Sequence, residues 1–369
     1  MKLVLVSPKN RTVYNFRGDL IQKLQDSGFE VVVTGPNRDD LPRVEALGVR
    51  FIEVPMAKNG TNPFADLSYK NQLKKIFREE KPDVVLGYTI KPVIYGTWAA
   101  KAAGVKNING MITGVGYTFL ANSRKAKLLR ALVFKLYRHS LKKANHVIFQ
   151  NKDDMELFVK HRLIRREKCA VVNGSGVNVQ HFATKPIPTG ALRFFMLSRL
   201  LKSKGAVEYL EAAKIVKERY PEVRFSVLGK YENAMQDAVP AALIERYISE
   251  GIVEKYDETD DVRPYYAQCS VYVLPSYGEG TPRTVLEAMA VGRPIITTDA
   301  NGCRETVIDG RNGFLVPVGD SSALAEKMCY FIEHPEVLET MGAASRELCE
   351  EKYAVEKVND ALFQIMEIE

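Results

Sequence analysis

Two glutamates flank the start of a short helical pattern in the C-terminal half of the chain, and their surroundings suit a phosphorylated ligand. Glu279 lies between Gly278 and Gly280, where the backbone can adopt positive φ values and approach a ligand closely. Thr281 and Pro282 predict the N-cap and the first residue of a helix, whose unpaired amides and positive dipole end point at this loop. Such a helix end attracts anions, phosphate above all. We therefore expect the chemistry of the protein here.

The second glutamate, Glu287, lies inside that predicted helix among apolar residues, where a carboxylate needs partners. Vicinal hydroxyl groups of a sugar would donate two hydrogen bonds to it, and hydrogen bonds to a charged group contribute about 1.5 to 3 kcal/mol each. An ion pair with Arg283, one turn earlier, accounts for the carboxylate equally well. The residue alone leaves both interpretations open.

A pair of basic residues follows an apolar strand pattern at 194–198. Arg199 and Lys204 belong to the segment SRLLKSKG, which ends at Gly205. A guanidinium and an ammonium that converge on a diphosphate would stabilise the charge that develops as a nucleotide leaves, and such preorganised electrostatics is usually the largest catalytic effect. The alternative interpretation is a solvated helix start that binds no ligand.

Together these segments resemble the family 4 glycosyltransferases, which are retaining enzymes with the GT-B fold. Glu279 and Glu287 are similar to the E-x7-E motif of that family, with the same strand, loop and helix around them. The segment 198–205 resembles the family motif G-R-L-x-x-x-K-G, with Ser198 in place of the first glycine. The segment 176–182, GVNVQHF, resembles the motif G-V-D-x-x-x-F, with asparagine in place of aspartate. The resemblance extends over nearly the whole chain, and the second half is matched best.

The resemblance implies roles for individual residues. In the family, the first motif glutamate lies beside the donor sugar and the second binds the ribose of the nucleotide. The implied catalytic residues are Arg199, Lys204 and Glu279. The implied nucleotide-sugar-binding residues are Gly229, Gly280, Thr281, Pro282 and Glu287. No metal ion or other cofactor is expected, since the nucleotide sugar itself is a substrate.

The acceptor side is expected in the first half of the chain, where the match is weaker. The family often carries a T-x-H-G loop there, and this chain has Thr113 in place of the histidine. Some capsule and lipid-linked oligosaccharide transferases of the family share such a glycine-rich loop without histidine. The expected acceptor-side residues are Asn10, Lys91, Thr113 and Gly114.

The alternation of strand and helix patterns predicts an α/β protein. At 369 residues the chain is long enough for two domains of about 180 residues each. A doubly wound parallel sheet is expected in each half. The predicted strands are 2–6, 31–34, 51–54, 84–87 and 147–150 in the first half and 194–198, 224–228 and 271–274 in the second.

The resemblance implies the GT-B arrangement, in which two Rossmann-like doubly wound domains face a central cleft. The expected acceptor-side domain is 1–185, joined by a C-terminal crossover helix at 353–369. The expected nucleotide-sugar domain is 186–352. A linker is predicted at 184–190, TKPIPTG, because two prolines and a glycine occur within seven residues.

Charge is divided unequally between the two halves of the chain. Residues 1–185 carry 32 Lys and Arg against 15 Asp and Glu, whereas residues 186–369 carry 20 against 30. No acidic residue occurs between Asp83 and Asp153, an interval that contains twelve Lys or Arg. The two halves are therefore expected to meet different partners.

The segment 123–143, SRKAKLLRALVFKLYRHSLKK, predicts a basic amphipathic helix with Ser123 as its cap. An anionic membrane surface attracts each nearby basic residue by about 1 kcal/mol, and polyprenyl-diphosphate acceptors lie at that surface. A solvated helix that only packs on the core is the alternative. The residues expected to bind the membrane or the lipid diphosphate are Arg124, Lys127, Arg130 and Lys135.

Other kinds of site are disfavoured. Five scattered cysteines without a C-x-x-C spacing indicate free thiols in a reducing compartment. The acidic cluster 257–261 lacks the strands of a D-x-D metal motif and is interpreted as a solvated helix cap. No G-x-G-x-x-G follows a predicted strand, so dinucleotide redox chemistry is not expected. Nucleic acid is not expected because no aromatic platform accompanies the basic helix, and no apolar run reaches the roughly 18 residues of a membrane span.

The combined expectation is a cytoplasmic enzyme, peripheral to the inner face of the cytoplasmic membrane. It would transfer a hexose or an N-acetylhexosamine from a nucleotide sugar, with UDP favoured, to a polyprenyl-diphosphate-linked saccharide in surface polysaccharide or glycan biosynthesis. Two alternatives stay open. One is a UDP-N-acetylglucosamine 2-epimerase, which shares the GT-B fold, and the other is a non-catalytic scaffold that binds nucleotide sugars at the membrane.

Overall fold

The structure is a computed structural model that describes residues 1–57, 62–115, 124–232 and 235–368, apart from the side chain of residue 125. The predicted helix cap Ser123 lies outside these ranges. The chain divides into two units, of which the first contains residues 1–175 and 356–369 and the second contains residues 176–355. Each unit is built around a parallel sheet.

The first unit alternates strands and helices. Its strands are β1 (Lys2–Val6), β2 (Glu30–Gly35), β3 (Arg50–Glu53), β4 (Val84–Tyr88), β5 (Asn107–Ile112), β6 (His146–Phe149) and β7 (Cys169–Val171). Its helices are α1 (Asn10–Asp26), α2 (Leu41–Glu45), α3 (Pro63–Glu80), α4 (Thr97–Ala103), α5 (Arg124–Leu141) and α6 (Lys152–Lys160), and a π-helical turn, Pro92–Gly96, precedes α4. Within the described residues the strand order is β3-β2-β1-β4-β5-β6-β7, and all neighbours are parallel.

The second unit repeats this plan. Its strands are β8 (Arg193–Leu197), β9 (Arg224–Leu228), β10 (Glu254–Tyr256), β11 (Val271–Leu274), β12 (Ile295–Thr298) and β13 (Gly313–Val316). Its helices are α7 (Ala206–Arg219), α8 (Ala241–Ser249), α9 (Arg263–Gln268), α10 (Arg283–Ala290), α11 (Ser321–Glu333) and α12 (Val337–Leu348), and the chain ends with α13 (Val355–Ile365). In the described part of this unit the parallel strand order is β10-β9-β8-β11-β12-β13.

Both faces of the first sheet are covered, because successive residues of a strand point to opposite faces. Val4 and Val6 of β1 pack in an apolar cluster with α3, α4 and α5. Leu3 and Leu5 of the same strand pack in another cluster with α1 and α13. The last helix of the chain thus belongs to the core of the first unit, where the resemblance placed a crossover helix.

The point at which the first unit ends differs from the predicted boundary at 185. Val177 forms a parallel bridge with Ala354, and its N–H donates to the Tyr353 carbonyl oxygen at 2.8 Å. These contacts hold the chain that follows Ser175 on the second unit.

The segment 184–190, predicted as a linker, packs on the second unit. The guanidinium of Arg293 is fully buried and donates to the Pro186 carbonyl oxygen at 3.0 Å. The Lys185 N–H donates to the Val291 carbonyl oxygen at 3.1 Å. The prolines therefore fix the path of a docked segment and do not mark a free connection.

The segment 7–18 follows the first predicted strand and is helical from Asn10 onwards. Lys9 occupies the N-cap position with an extended backbone. Gly18 lies within α1, where a Cβ would be 3.6 Å from the Leu47 side chain. A glycine inside a helix costs about 0.5 to 1 kcal/mol relative to alanine, and the apolar packing of α1 offsets this cost.

Within the described strands, each sheet has a point at which the strand order reverses. It lies between β1 and β4 in the first sheet and between β8 and β11 in the second. In open parallel sheets ligands bind beyond the carboxyl ends of the strands at such a point. The loops after β8 and β11 contain Arg199, Lys204 and Glu279, and the segments after β1 and β4 contain Asn10 and Lys91.

Candidate active site

The loops after β8 and β11 lie against each other at the carboxyl edge of the second sheet. Gly205 ends the first loop with a φ of 71°, and a Cβ there would lie 2.1 Å from the Pro275 carbonyl oxygen. The Tyr277 N–H donates to the Ser203 carbonyl oxygen at 2.9 Å. Because glycine at 205 permits this approach, the two charged segments found in the sequence share one site.

Lys204 and Glu279 are in direct contact in this site. Lys204 Nζ donates to Glu279 Oε1, and the two side chains are 20% and 15% exposed. Ser276 Oγ lies 2.9 Å from the same carboxylate oxygen and donates to it. A pair that is partly open to solvent can exchange partners, so an anionic ligand could take the ammonium while Ser276 retains the carboxylate.

A third loop, which follows β12, fixes the backbone around Glu279. The Glu279 N–H donates to the Asn301 carbonyl oxygen at 2.9 Å. Gly302 has a φ of 72°, and a Cβ there would lie 2.3 Å from the Gly280 carbonyl oxygen. The position of the glutamate is thus set by backbone contacts as well as by its charged partner.

Arg199 does not join the contact between Lys204 and Glu279. Its side chain is exposed, and one guanidinium nitrogen lies 3.5 Å from Met235 Sδ. The loop that carries both basic residues is anchored by Asp237, whose Oδ2 accepts hydrogen bonds from the Ser203 N–H, at 3.2 Å, and from Ser203 Oγ. The structure therefore brings two of the three implied catalytic residues together.

Glu287 has protein partners on both carboxylate oxygens. Arg283 Nε donates to Oε1 at 3.1 Å, which is the ion pair considered as an alternative from the sequence. The Tyr266 hydroxyl lies 3.0 Å from Oε2 and from the Thr284 carbonyl oxygen, and its single proton serves these two acceptors. Burial raises the pKa of Glu287, and Arg283 and Tyr266 oppose this shift. These contacts leave lone pairs of the carboxylate for hydroxyl donors, so the predicted ribose contact stays a prediction.

The helix after the glutamate loop begins one residue later than predicted. α10 starts at Arg283, and Pro282 occupies the N-cap position with a φ of −72° and a ψ of 104°. Its carbonyl oxygen accepts a hydrogen bond from the Val285 N–H at 3.0 Å. The extended ψ of the proline places Thr281 outside the helix. Thr281 therefore belongs to the loop, and Pro282 occupies the N-cap position of α10.

Gly229, at the end of β9, lies against the start of the basic loop. A Cβ at Gly229 would be 1.9 Å from the Ser198 carbonyl oxygen. The Ser198 N–H donates to the Leu228 carbonyl oxygen, and the Gly229 N–H donates to the Tyr256 carbonyl oxygen, each at 3.1 Å. Glycine is thus required by the close approach of two backbone segments.

Replacing Gly229 with alanine should lower the thermal stability of the protein, because the new methyl group collides with backbone. Overpacking of this kind costs about 1 to 3 kcal/mol, and each kcal/mol shifts the Tm by about 2 to 4 °C for a unit of the size of the second one. Scanning calorimetry measures the change. Gly18→Ala is the matched control, since its Cβ meets Leu47 at an ordinary contact distance of 3.6 Å. Equal Tm values for the two variants would contradict the close approach.

Lys91, in the first unit, belongs to a buried ion pair. Its Nζ donates to Asp66 Oδ1 at 2.6 Å, and the Tyr95 hydroxyl donates to Asp66 Oδ2 at 2.9 Å. The side chains of Lys91 and Asp66 are 13% and 12% exposed. Burial and the Asp66 carboxylate raise the pKa of Tyr95. The structure therefore presents Lys91 as a fixed, paired cation.

The other expected acceptor-side residues lie near strand ends of the first sheet. Asn10 is buried, and its Nδ2 donates to the carbonyl oxygens of Asn37, at 2.9 Å, and Asp39, at 2.6 Å. These bonds hold the loop after β2. Thr113 and Gly114 follow β5 and are half-buried, and Gly114 has a φ of 118°. Asn10 therefore has a structural role, because it fixes the backbone of the loop after β2.

The basic helix α5 packs on the core through its second half. Tyr137 and Leu141 are buried, whereas Leu128 and Leu132 are 74% and 50% exposed. The residues expected to bind the membrane are exposed, apart from half-buried Arg130: Arg124, Lys127, Arg130 and Lys135. The core-packing alternative therefore describes only the second half of α5. Among the described residues, no helix combines the length and the apolarity that crossing a bilayer requires.

Metal binding and nucleophilic attack by a cysteine are two further kinds of chemistry that find little support in the second unit. In the described ranges no three His, Cys, Asp or Glu side chains assemble into a group that could hold a metal ion. Asp261, from the acidic cluster 257–261, accepts hydrogen bonds from the Arg263 N–H and Nε at 3.0 and 2.8 Å, and Arg263 holds the pKa of Asp261 below its ordinary value. Burial raises the pKa of Cys303, close to Glu279, to about 12, so its thiolate is absent at neutral pH.

Several residues that hold the site were not singled out from the sequence. They are Asp66, Ser203, Asp237, Tyr266, Ser276 and Asn301. Ser276 carried a local signal, since it follows the last strand residue and Pro275 and stands three positions before Glu279. Asp237 and Asp66 carried none, because their partners are distant in sequence.

Solved structures show that this fold is shared along the whole chain. HepE of Anabaena in complex with UDP and glucose superposes with a TM-score of 0.82 at 19% identity, over 100% of this chain and 99% of that chain. Sucrose-phosphate synthase of Thermosynechococcus elongatus superposes with a TM-score of 0.83 at 18% identity, over 100% and 98%.

Two family models match the chain, one in each unit. The model described as Glycosyl transferases group 1 matches residues 191–334, which contain Lys204, Glu279 and Glu287. The model described as Glycosyl transferase 4-like matches residues 2–151. The chain belongs to the GT-B glycosyltransferases. The expected fold, with two parallel-sheet α/β units, is confirmed.

Curated relatives of this GT-B glycosyltransferase match along most of its length. The N,N'-diacetylbacillosaminyl-diphospho-undecaprenol alpha-1,3-N-acetylgalactosaminyltransferase of Campylobacter jejuni is 26% identical over 346 residues, which are 90% of this chain and 90% of the relative. The UDP-Gal:alpha-D-GlcNAc-diphosphoundecaprenol alpha-1,3-galactosyltransferase of Escherichia coli is 28% identical over 74% of this chain and 72% of the relative.

Proposed function

We propose that this GT-B glycosyltransferase is a retaining enzyme of family 4 that transfers a hexose or an N-acetylhexosamine from a UDP-sugar to a polyprenyl-diphosphate-linked saccharide. The observation that carries the proposal is the contact between Lys204 and Glu279 at the reversal point of the second sheet. A nucleotide sugar carries its diphosphate next to its sugar hydroxyls. An ammonium for the phosphate adjacent to a carboxylate for the hydroxyls matches that arrangement.

In the proposed reaction the bond between the anomeric carbon and the diphosphate oxygen breaks, and the acceptor oxygen bonds to the anomeric carbon on the same face. Lys204 and Arg199 stabilise the negative charge that grows on the leaving diphosphate. The leaving phosphate oxygen takes the proton of the acceptor hydroxyl. Glu279 accepts hydrogen bonds from the donor sugar, held by Ser276 once Lys204 turns to the phosphate. This scheme needs no metal ion, and undiminished activity in EDTA is the expected result.

The class of acceptor is proposed from the relatives. The enzymes from Campylobacter jejuni and Escherichia coli are both named for diphospho-undecaprenol-linked substrates. The sugars in their names differ, so the sugar transferred here is left to experiment. The proposed setting is the synthesis of a surface polysaccharide or glycan.

Incubation with a panel of UDP-sugars and a polyprenyl-diphosphate saccharide extract tests the proposal. The expected result is a labelled lipid product that depends on one of the donors and on the lipid acceptor. Conversion of UDP-N-acetylglucosamine to its 2-epimer without acceptor would identify an epimerase instead. Donor binding without turnover on any acceptor would identify a scaffold.

The transfer should retain the anomeric configuration of the donor. A double displacement needs a carboxylate close to the anomeric carbon, and Glu279 is the only acidic residue in the loop 275–282. In the proposed pose Glu279 contacts hydroxyl groups of the sugar, which leaves the same-face route. Proton NMR of the fresh product on a water-soluble acceptor measures the configuration. An inverted linkage would reject membership of family 4.

We propose that the enzyme acts at the cytoplasmic face of the membrane. The exposed half of α5 presents basic residues together with Leu128 and Leu132. Basic amphipathic helices bind anionic lipid surfaces by charge and by apolar burial. The enzyme would thereby encounter its lipid-linked acceptor at the membrane surface.

Charge reversal on α5, with glutamate at positions 124, 127, 130 and 135, should lower binding to anionic vesicles more than tenfold. UDP binding should be unchanged, since the proposed donor residues belong to the second unit. Vesicle co-sedimentation and calorimetric UDP titration measure these two effects. Reversal of Lys214 and Lys217 on α7 is the matched control. If the α5 variant still sediments fully with anionic vesicles at low salt, α5 does not bind the membrane and only packs on the core.

A further inference from the structure

The first two turns of α3 expose large apolar side chains. Phe64 is 81% exposed and Leu67 is 50% exposed, one helical turn apart on the same side. Asn62 caps the helix, since its side-chain oxygen accepts hydrogen bonds from the Phe64 and Ala65 N–H groups at 3.0 and 3.4 Å. The exposed side chains therefore stand on an ordered helix end.

This helix end carries no exposed charge. Between Asn62 and Tyr69 the only charged residue is Asp66. Asp66 points inward, where Lys91 and Tyr95 bind its two carboxylate oxygens. The buried ion pair thus removes from the surface the charge that would otherwise keep Phe64 and Leu67 in water.

The same end of the first sheet carries the exposed part of α5. α3 and α5 belong to one apolar cluster on one face of the sheet. α3 begins at the carboxyl edge, where Asp66 meets Lys91 after β4, and ends at the amino edge, where Glu80 Oε2 accepts a hydrogen bond from Lys2 Nζ of β1 at 3.1 Å.

α5 runs in the same direction as α3. Its last turn lies at the amino edge, since the Asn145 N–H, just beyond it, donates to the Ile108 carbonyl oxygen of β5 at 2.7 Å. A helix of 18 residues is about 27 Å long, whereas a five-residue strand is about 17 Å long. The first turn of α5 therefore projects past the carboxyl edge, which accounts for the exposure of Leu128, whereas Leu132 is exposed midway along the helix.

We propose that Phe64 and Leu67 insert into the apolar layer of an anionic bilayer, while the basic residues of α5 bind its headgroups. The proposal rests on the membrane-bound acceptor of the proposed function and adds an apolar anchor on a second helix. An anionic bilayer fits because it offers negative charge and an apolar layer within one surface. The segment that contains α5 has no acidic residue from residue 84 to residue 152.

Replacing Phe64 and Leu67 together with serine tests the anchor. Binding to vesicles of phosphatidylcholine with phosphatidylglycerol should fall about tenfold to a hundredfold, because the burial of two large apolar side chains is lost. The dependence of binding on salt should be unchanged, since no charge is altered. Ile215→Ser with Ile308→Ser is the matched control, because these residues of the second unit are 43% and 44% exposed. The control should bind as the parent does.

Depth of insertion gives a second measurement that does not depend on loss of binding. A Phe64→Trp protein should show a blue-shifted emission on vesicle addition and quenching by lipids brominated in the acyl chains. The parent, with Trp98 as its single tryptophan, gives the background signal. Tryptophan at 64 that stays quenched by aqueous iodide on vesicles would overturn the proposal, as would full vesicle binding of the serine variant.

Activity on a short water-soluble acceptor separates this proposal from the proposed function. The serine variant should keep that activity and lose activity on the lipid-borne acceptor in proportion to its binding. If the parent transfers no sugar to either acceptor, the transferase function fails. If both proteins are equally active on both acceptors, only the apolar anchor fails.

Discussion

Replacement of Lys204 with alanine should lower the single-turnover rate of glycosyl transfer about a hundredfold to a thousandfold at saturating donor. Lys204 is the cation in direct contact with Glu279 at the reversal point of the second sheet. In the proposed reaction its charge meets the charge that grows on the leaving diphosphate. Loss of one such preorganised donor costs about 2.7 to 4 kcal/mol of transition-state stabilisation. Because the interaction strengthens as the bond breaks, the rate should fall more than the donor affinity.

Lys202 provides the matched control for this experiment. It is an exposed lysine at the start of the same short helical turn, Lys202–Lys204. Its backbone N–H donates to the Asp237 carbonyl oxygen at 2.9 Å, and its carbonyl oxygen accepts from the Gly205 N–H at 2.9 Å. Lys202→Ala should keep the parent rate. Arg199→Ala should lower the rate in the same direction as Lys204→Ala, since the flexible guanidinium can turn to a bound diphosphate. A loss smaller than tenfold at Lys204, in a protein with the parent Tm, would reject its role.

The strands that could be predicted from the sequence are those whose residues are apolar on both faces. β1 (Lys2–Val6) and β11 (Val271–Leu274) are examples, because each is covered by helices on both sides and its residues from the second onward are all buried. Such runs are typical of parallel sheets. Alternation with helices predicts parallel sheets with right-handed crossovers. The order of the strands, and with it the reversal points that bring the basic and glutamate loops together, is visible only in the fold.

The sequence pattern missed β5 (Asn107–Ile112), because polar residues interrupt it. Asn109 is 1% exposed, and its Nδ2 donates to Asn107 Oδ1 at 2.7 Å. The Ile108 N–H donates to Asn145 Oδ1 at 2.9 Å. A buried asparagine is stable only where partners satisfy its amide group. His146 Nδ1, 3.3 Å from Asn109 Oδ1, and Asn145 are supplied by a later part of the chain, which leaves no local signal.

The same reason limits what could be predicted for the site residues. The pair of Arg283 with Glu287 was foreseen as an alternative because the two residues are one helical turn apart. The Tyr266 hydroxyl that approaches Glu287 comes from another helix. The Asp66 partner of Lys91 likewise comes from α3. Local spacing predicts contacts within an element, whereas contacts between elements require the fold.

Glu287 is where we expect the largest change in donor affinity. Replacing it with glutamine should weaken UDP binding about tenfold to a hundredfold, because hydrogen bonds from the ribose hydroxyls lose a charged acceptor that contributes about 1.5 to 3 kcal/mol. The contact exists before and during the reaction, so the single-turnover rate at saturating donor should change little. Isothermal titration with UDP measures the affinity, and Glu350→Gln is the control. Glu350 pairs with Arg346 one helical turn away at 2.6 Å, in the same unit, without a predicted role.

Glutamine is a sharper test than alanine, because its amide oxygen can still accept a hydrogen bond from the Arg283 guanidinium, which is 13% exposed, whereas alanine would remove that acceptor and destabilise the helix. The pH dependence gives a further check on the same side chain. Burial raises the pKa of Glu287, so on acidification its charge is lost at a higher pH than that of an ordinary glutamate. On acidification the UDP affinity of the parent should therefore fall more steeply than that of Glu287→Gln. The titration of UDP itself affects both proteins equally, so the difference between the two profiles reports on Glu287. Parallel pH profiles together with equal UDP affinities for the two proteins would leave Glu287 as a structural ion-pair partner of Arg283 and would remove the ribose contact from the proposal.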